Sequence, residues 1–197
     1  MSDQTSGEEV FFVTSAHSLA QLPAALYPEI AFAGRSNVGK SSLINKLINR
    51  HGLVKVSATP GKTRSLNYFL VGERYYLVDL PGYGFARVPK DIQQQWRRLI
   101  ESYLESRPTL KCVVVILDVR HQLKEKDREL VGWLREKNIP CLPVYTKADK
   151  LSRNEQYKNA ALLDAGLGFA AADRILFSAK SGQGRDSLRS ALDQFLR

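Results

Sequence analysis

Gly34-Arg35-Ser36-Asn37-Val38-Gly39-Lys40-Ser41-Ser42 is the stretch on which the fold turns. It fits G-x-x-x-x-G-K-[ST], the phosphate-binding loop, and both of its flanks suit that loop. Ile30-Ala31-Phe32-Ala33 ahead of it reads as a short buried strand. Behind it, Leu43, Ile44, Leu47 and Ile48 fall on one face of a helix. Glycines let successive backbone N–H groups converge on one anion, and the helix N-terminus adds its positive end. Lys40 is expected to reach the β- and γ-phosphates of a nucleotide, and the Ser41 hydroxyl to ligate Mg2+. A glycine-bearing strand–helix turn that binds nothing is the alternative, and it has no need of Lys-Ser in this register. The loop by itself names no base and no reaction.

The chain has 197 residues, 44% hydrophobic and 25% charged, which suits one soluble domain with a substantial core. We expect a single domain over residues 9–197 and a disordered tail over residues 1–8. The polar, acidic start has none of the features of a signal peptide. The longest aliphatic run, Cys112 to Leu117, is far too short to span a membrane, so a cytoplasmic protein without a membrane partner is expected. Cys112 and Cys141 lie in apolar runs and read as core fillers in a reducing compartment. His17, His51 and His121 lack the spacing of metal ligands. Twenty-nine Lys and Arg against twenty Asp and Glu leave a net charge of +9. That field suits a polyanion such as nucleic acid, although a passive basic surface would look the same.

Strands are expected at Glu9–Val13, Glu29–Ala33, Leu66–Val71, Tyr75–Asp79, Lys111–Asp118, Cys141–Thr146 and Arg174–Phe177. They alternate with helical patterns over short connections, the pattern of an α/β fold. Gly72-Glu73-Arg74 between the third and fourth is a hairpin signal. The architecture predicted is a doubly wound, mostly parallel sheet with one antiparallel edge strand and helices on both faces. Ile92, Trp96, Leu99, Ile100, Tyr103 and Leu104 keep a helical period that places Trp96 on the core face. Residues 50–65 have no period, and loops of that length are usually functional or mobile.

Further motifs name the chemistry. The strand ending at Val78 exits through Asp79-Leu80-Pro81-Gly82. An acid at the carboxyl end of a strand, following a phosphate loop, is well placed to organise Mg2+, here through water. The Gly82 N–H would face the γ-phosphate. Alone, D-L-P-G is an ordinary strand exit; paired with the loop at this spacing it is specific. Thr146-Lys147-Ala148-Asp149 looks like the [NT]-K-x-D motif with which GTPases read guanine. The Asp149 carboxylate can accept from the ring N–H and the exocyclic amine together, a pair that adenine does not offer. The Lys147 stem would lie over the ring, and Thr146 offers a hydroxyl where Asn is commoner. Phe177-Ser178-Ala179-Lys180 resembles the backbone-reading loop beneath guanine.

From Gly34 to Lys180 the chain resembles an Era-like P-loop GTPase, and more narrowly the EngB family (also called YihA or YsxC) of bacterial ribosome-assembly GTPases. The strings that carry the match are Gly34–Ser42, Pro60-Gly61-Lys62-Thr63-Arg64-Ser65-Leu66-Asn67, Val78–Ala86, Asp118-Val119-Arg120-His121 and Thr146–Asp149. The resemblance implies GTP and GDP as ligands, with Gly61, Lys62, Thr63, Arg64 and Ser65 among the nucleotide contacts. It implies that Thr63 joins Ser41 on Mg2+. It also implies binding to the large ribosomal subunit or its precursor, through ribosomal RNA, and a link to cell division and septation. The expected oligomeric state is a monomer.

Hydrolysis by water would rest on positioning and charge neutralisation, with Lys40, Thr63 and Gly82 as the catalytic set. Many GTPases carry a water-orienting Gln directly after the D-x-x-G glycine. Tyr83 stands there and lacks the paired donor and acceptor of a carboxamide, so slow intrinsic turnover is expected. By resemblance Asn37 coordinates K+; shaping its own loop by side-chain-to-backbone bonds is an equal alternative. Arg120 and His121 read first as a surface ion-pair and turn cluster, second as a catalytic or partner site. Lys55, Lys62, Arg64, Arg87, Lys90, Arg97 and Arg98 mark the side expected to face RNA. The competing functions are a P-loop ATPase or kinase, an RNA-binding module with a vestigial nucleotide site, and a Ras-like trafficking switch. Asp149, the intact Lys40, Ser41 and Asp79, and the absent prenylation box argue against them in turn.

Overall fold

The structure is a computed structural model that describes residues 9–50, 52, 53, 65–83 and 90–197, the first four of the last stretch through their backbone alone. The expected tail over residues 1–8 lies outside it, as do Gly61, Lys62, Thr63 and Arg64. Among the described residues the strands are β1 (Val10–Ala16), β2 (Glu29–Gly34), β3 (Leu66–Val71), β4 (Tyr75–Asp79), β5 (Leu110–Asp118), β6 (Cys141–Thr146) and β7 (Ile175–Leu176). The helices are α1 (Lys40–Leu47), α2 (Lys90–Ser106), α3 (Glu125–Glu136), α4 (Arg153–Leu167) and α5 (Arg185–Phe195).

One sheet joins the strands in the order β1-β3-β4-β2-β5-β6-β7. The run from β4 through β2, β5 and β6 to β7 is parallel, and β3 runs against both β4 and β1. The reversed strand follows from the hairpin: Gly72 and Glu73 take φ of 56° and 51°, the twist a tight β-turn needs. β2 leads to β3 and β4 on one side of the sheet, whereas β4 connects to β5 on the other. Such a switch point opens a crevice at the carboxyl ends of the strands, where ligands of open α/β sheets bind.

The middles of the central strands are continuously apolar because both faces are covered. Ile30 and Phe32 of β2 pack with Cys112, Val114 and Ile116 of β5 against α1 and α5. Ala31 and Ala33 pack with Val113, Val115 and Leu117 against the face of α2, α3 and α4. A period of two thus places two cores on one strand. Cys112 is buried and both cysteines are free thiols, with burial pushing that of Cys112 up. Trp96 departs from expectation. Tyr103 and Leu104 of α2 are buried, but Trp96 is only half-buried, one wall of a groove shared with Tyr83, Leu130 and Trp133. The apolar stripe of α2 reaches the core through its C-terminal half.

At the amino end of β2, Glu29 is fully buried. It accepts from the hydroxyls of Tyr68 (3.1 Å), Tyr103 (2.9 Å) and Thr109 (2.8 Å) and from Arg107 Nε (2.6 Å). A buried carboxylate with a full set of donors is tolerated and fixes the elements that supply them. Here it holds α2 and β3 to the foot of the sheet. Among the described residues, no helix is long and apolar enough to cross a membrane.

Candidate nucleotide site

The loop between β2 and α1 is shaped by what its backbone must do. Gly34 has no room for a side chain: a Cβ there would lie 2.9 Å from Val38 Cγ2 and 3.0 Å from the Ile116 carbonyl oxygen. Asn37 and Gly39 take positive φ, 63° and 97°, so the chain coils before α1 begins at Lys40. Val38 N–H donates to the Arg35 carbonyl (3.3 Å), and the Val38 side chain anchors the coil in the core. Lys40 and Ser41 therefore open a helix whose unsatisfied N–H groups face the crevice, the arrangement that holds phosphate.

Asp79, the last residue of β4, is 3% exposed and pairs with Lys40 Nζ. The lysine meant for phosphate thus neutralises the acid meant for the metal. Ser41 and Asp79 are hard oxygen donors, so the residues present fit Mg2+. Beyond Asp79 the chain stays bound to the loop. Leu80 N–H donates to the Phe32 carbonyl (3.1 Å), Tyr83 N–H to Gly34 (3.3 Å), and Ser36 N–H to the Tyr83 carbonyl (3.2 Å). Gly82 lies against Ser36, and a Cβ at Gly82 would come 3.5 Å from both Ser36 N and Oγ. Leu80 and Phe177 are core side chains, so only their backbones can serve a nucleotide. Tyr83 turns its phenol inward to donate to Asp127 Oδ1 at 3.0 Å. Burial raises the pKa of both groups, disfavouring their charged forms, and the Asp127 charge raises that of Tyr83 further.

The base-reading segment is built onto the same loop. Thr146 Oγ1 lies 2.5 Å from the Val38 carbonyl and 3.0 Å from that of Leu117, one hydroxyl proton serving two acceptors. Its replacement of Asn thus falls on the joint with the phosphate loop. Lys147, in a left-handed conformation, donates from Nζ to the Asn37 carbonyl (2.6 Å) and pairs with Asp118 (2.9 Å). Asp118 also receives the Arg120 guanidinium on both oxygens (2.9 and 2.7 Å). Burial opposes its charge, but the hydrogen bonds from Arg120 and Lys147 outweigh that and hold its pKa at about 2. Arg120 and the exposed His121, 3.7 Å from Asp118, are the ion-pair cluster expected of them. Ala148 N–H donates to the Phe177 carbonyl (3.1 Å), which carries the Ser178–Ala179 turn beneath Asp149. Ser178 Oγ donates to Asp149 Oδ1 at 2.7 Å and orients the base-reading carboxylate.

The residues expected from the sequence are brought together where they are described. The phosphate loop touches Asp79 and Gly82 on one side and Thr146 and Lys147 on the other, and Ala148 and Asp149 are bonded to Phe177 and Ser178. Ser65 is buried and gives its hydroxyl to Asn67 Oδ1 (3.0 Å). Of the basic residues expected to face RNA, Arg97 and Arg98 are exposed on α2, Arg97 paired with Glu101 (2.6 Å). Lys55 and Arg87 lie outside the described residues, and so does the Lys90 side chain. Sequence reading missed Asp127 and gave no role to Asp118. Asp127 meets Tyr83 and Asp118 meets Lys147 across long stretches of chain, contacts that no local spacing announces.

The family model described as "50S ribosome-binding GTPase" matches residues 29–147. The probable GTP-binding protein EngB of Desulfotalea psychrophila is 57% identical over 95% of this chain and 97% of its own length. That of Geobacter metallireducens is 49% identical over 94% and 91%. A crystal structure of a probable GTP-binding protein EngB superposes with a TM-score of 0.71 at 27% identity, covering 86% of this chain and 98% of that one. Aquifex aeolicus Era bound to GDP·AlF4− gives 0.67 at 19% identity over 86% of this chain and 56% of its own, a likeness of fold.

Proposed function

The chain belongs to the EngB family of GTP-binding P-loop GTPases, and we propose that it hydrolyses GTP as a Mg2+-dependent switch in assembly of the large ribosomal subunit. The observation that carries this reading is the joint between the two halves of the site. Thr146 and Lys147 are bonded to the carbonyls of Val38 and Asn37, so the loop that holds phosphate and the segment that reads guanine move as one. GTP entering the crevice takes Lys40 from Asp79 onto its β- and γ-phosphates. Ser41 and, through water, Asp79 would hold Mg2+, which would neutralise charge on the phosphate oxygens. Asp149, held by Ser178, accepts from the guanine edge, and Lys147 covers the ring. By the family resemblance Thr63, outside the described residues, would join Ser41 on the ion.

The ribosomal part rests on the family and on the charge of +9, which suits RNA phosphates. We further propose a cytoplasmic monomer, K+ held at Asn37 as an accessory charge beside the phosphates, and a bearing on cell division and septation. Hydrolysis of GTP and ATP, measured in K+ and in Na+, with and without large ribosomal subunits, tests all of this. GTP-selective turnover that rises with the subunits and with K+ is expected. Equal use of ATP would overturn the base-reading role of Asp149. Absence of any subunit effect on turnover or cosedimentation would overturn the ribosomal role.

A further inference from the structure

Hydrolysis needs a group that aligns water on the terminal phosphate, and the side chain in the usual place is committed elsewhere. The Tyr83 phenol is buried and donates to Asp127 at 3.0 Å. Its N–H and carbonyl are taken by Gly34 and Ser36.

One polar atom beside the same spot has no partner. Among the described residues, two buried side-chain polar atoms lack a hydrogen bond, Ser36 Oγ and Arg185 Nε, and only Ser36 belongs to the phosphate loop. A buried hydroxyl without a partner is destabilising, and an alanine methyl would occupy the place without that cost. Other buried hydroxyls near the site are engaged: Ser178 with Asp149, Thr146 with two carbonyls. Ser36 Oγ faces Gly82, whose Cβ, were there one, would lie 3.5 Å away. Gly82 is the residue whose N–H the D-x-x-G reading expects to face the γ-phosphate. The free hydroxyl therefore sits between the loop and the D-x-x-G turn, where terminal phosphate and attacking water must meet.

We propose that Ser36 is a catalytic residue of the GTPase reaction. Its oxygen accepts a hydrogen bond from the attacking water, and its hydrogen is donated to a γ-phosphate oxygen. As the water oxygen bonds to the γ-phosphorus, the bridging P–O bond to the β-phosphate breaks and its electron pair leaves with GDP. The proton of the water passes to the released phosphate. Ser36 neither gains nor loses a proton; it aligns, as a hydroxyl that is donor and acceptor at once can. The inference rests on the GTPase reading above.

The test is single-turnover GTP hydrolysis with Mg2+ in wild type, Ser36→Ala and Ser36→Gly, with affinities for GDP and for GDP·AlF4−. Loss of the hydroxyl should slow hydrolysis by about tenfold to a hundredfold and weaken GDP·AlF4− by a similar factor. Affinity for GDP should stay within about twofold, and the melting temperature of the free protein should hold or rise, because an unsatisfied group has been removed. A wild-type rate in either variant overturns the proposal. So does an equal loss for GDP and GDP·AlF4−, the mark of a residue that only shapes the loop. If wild type itself fails to hydrolyse GTP, the GTPase reading fails and the inference falls with it.

Discussion

The central strands bury a carboxylate near each of their ends, and the two are treated in opposite ways. Glu29, at the amino end of β2, is fully buried and receives hydrogen bonds from Tyr68, Tyr103, Arg107 and Thr109. Asp79, paired in register with Phe32 near the carboxyl end, is shown with Lys40 as its side-chain partner among the described residues, where the Ser36 hydroxyl of the neighbouring loop has none. Burial is nearly equal, so depth does not separate them. What differs is saturation. A carboxylate whose lone pairs are all taken can only hold elements together. One held by a lysine alone among the described residues can exchange it for a ligand, at a cost in stability that the ligand later offsets.

Lys40→Ala gives the largest effect with which to challenge that contrast. It should cut kcat/KM for GTP by about a thousandfold, because a charge aimed at the developing transition state is removed. It should also destabilise the free protein by about 1–3 kcal/mol, since Asp79 stays buried alone. Wild-type turnover would put the lysine outside catalysis. Glu29→Gln should act on stability instead. Leaving four donors around a neutral amide should lower unfolding free energy by about 3 kcal/mol in urea titration, with the GTPase rate of the folded fraction within about twofold. A rate loss exceeding the stability loss would erase the distinction between the two ends. The smallest effect belongs to pH. The Asp118 pKa is depressed from 3.8 to about 2 when folded. Its contribution is complete above pH ~4–5 and is lost as pH falls toward 2. Asp118→Asn should therefore flatten the decline of melting temperature over that acid range and weaken GDP binding several-fold by releasing Lys147.

Most of this was open to a reader of the sequence because the informative residues are neighbours in the chain. Leu66–Val71, Tyr75–Asp79 and Cys141–Thr146 read as strands with their observed bounds, since strands covered on both faces are continuous apolar runs. The phosphate loop, D-L-P-G and T-K-A-D carry their chemistry in consecutive positions, so local backbone form alone brings it together. What was closed depends on distance. The donors to Glu29 lie 39 to 80 positions away, and Asp127 lies 44 from Tyr83. No period or motif reports such partners. Trp96 shows the limit of periodicity itself: the stripe was right, but the reach of the core along α2 is set by where the helix leaves the sheet.

The Lys40–Asp79 pair also imposes a rule of entry. An inorganic anion that takes the lysine strands a buried acid; a divalent ion that takes the acid strands a buried ammonium. Each alone must bear the other's desolvation. Only a ligand that brings both signs, a metal-bound polyphosphate, satisfies the two residues in the same event. The resting pair therefore favours a ligand that carries both charges over a lone phosphate or a lone cation.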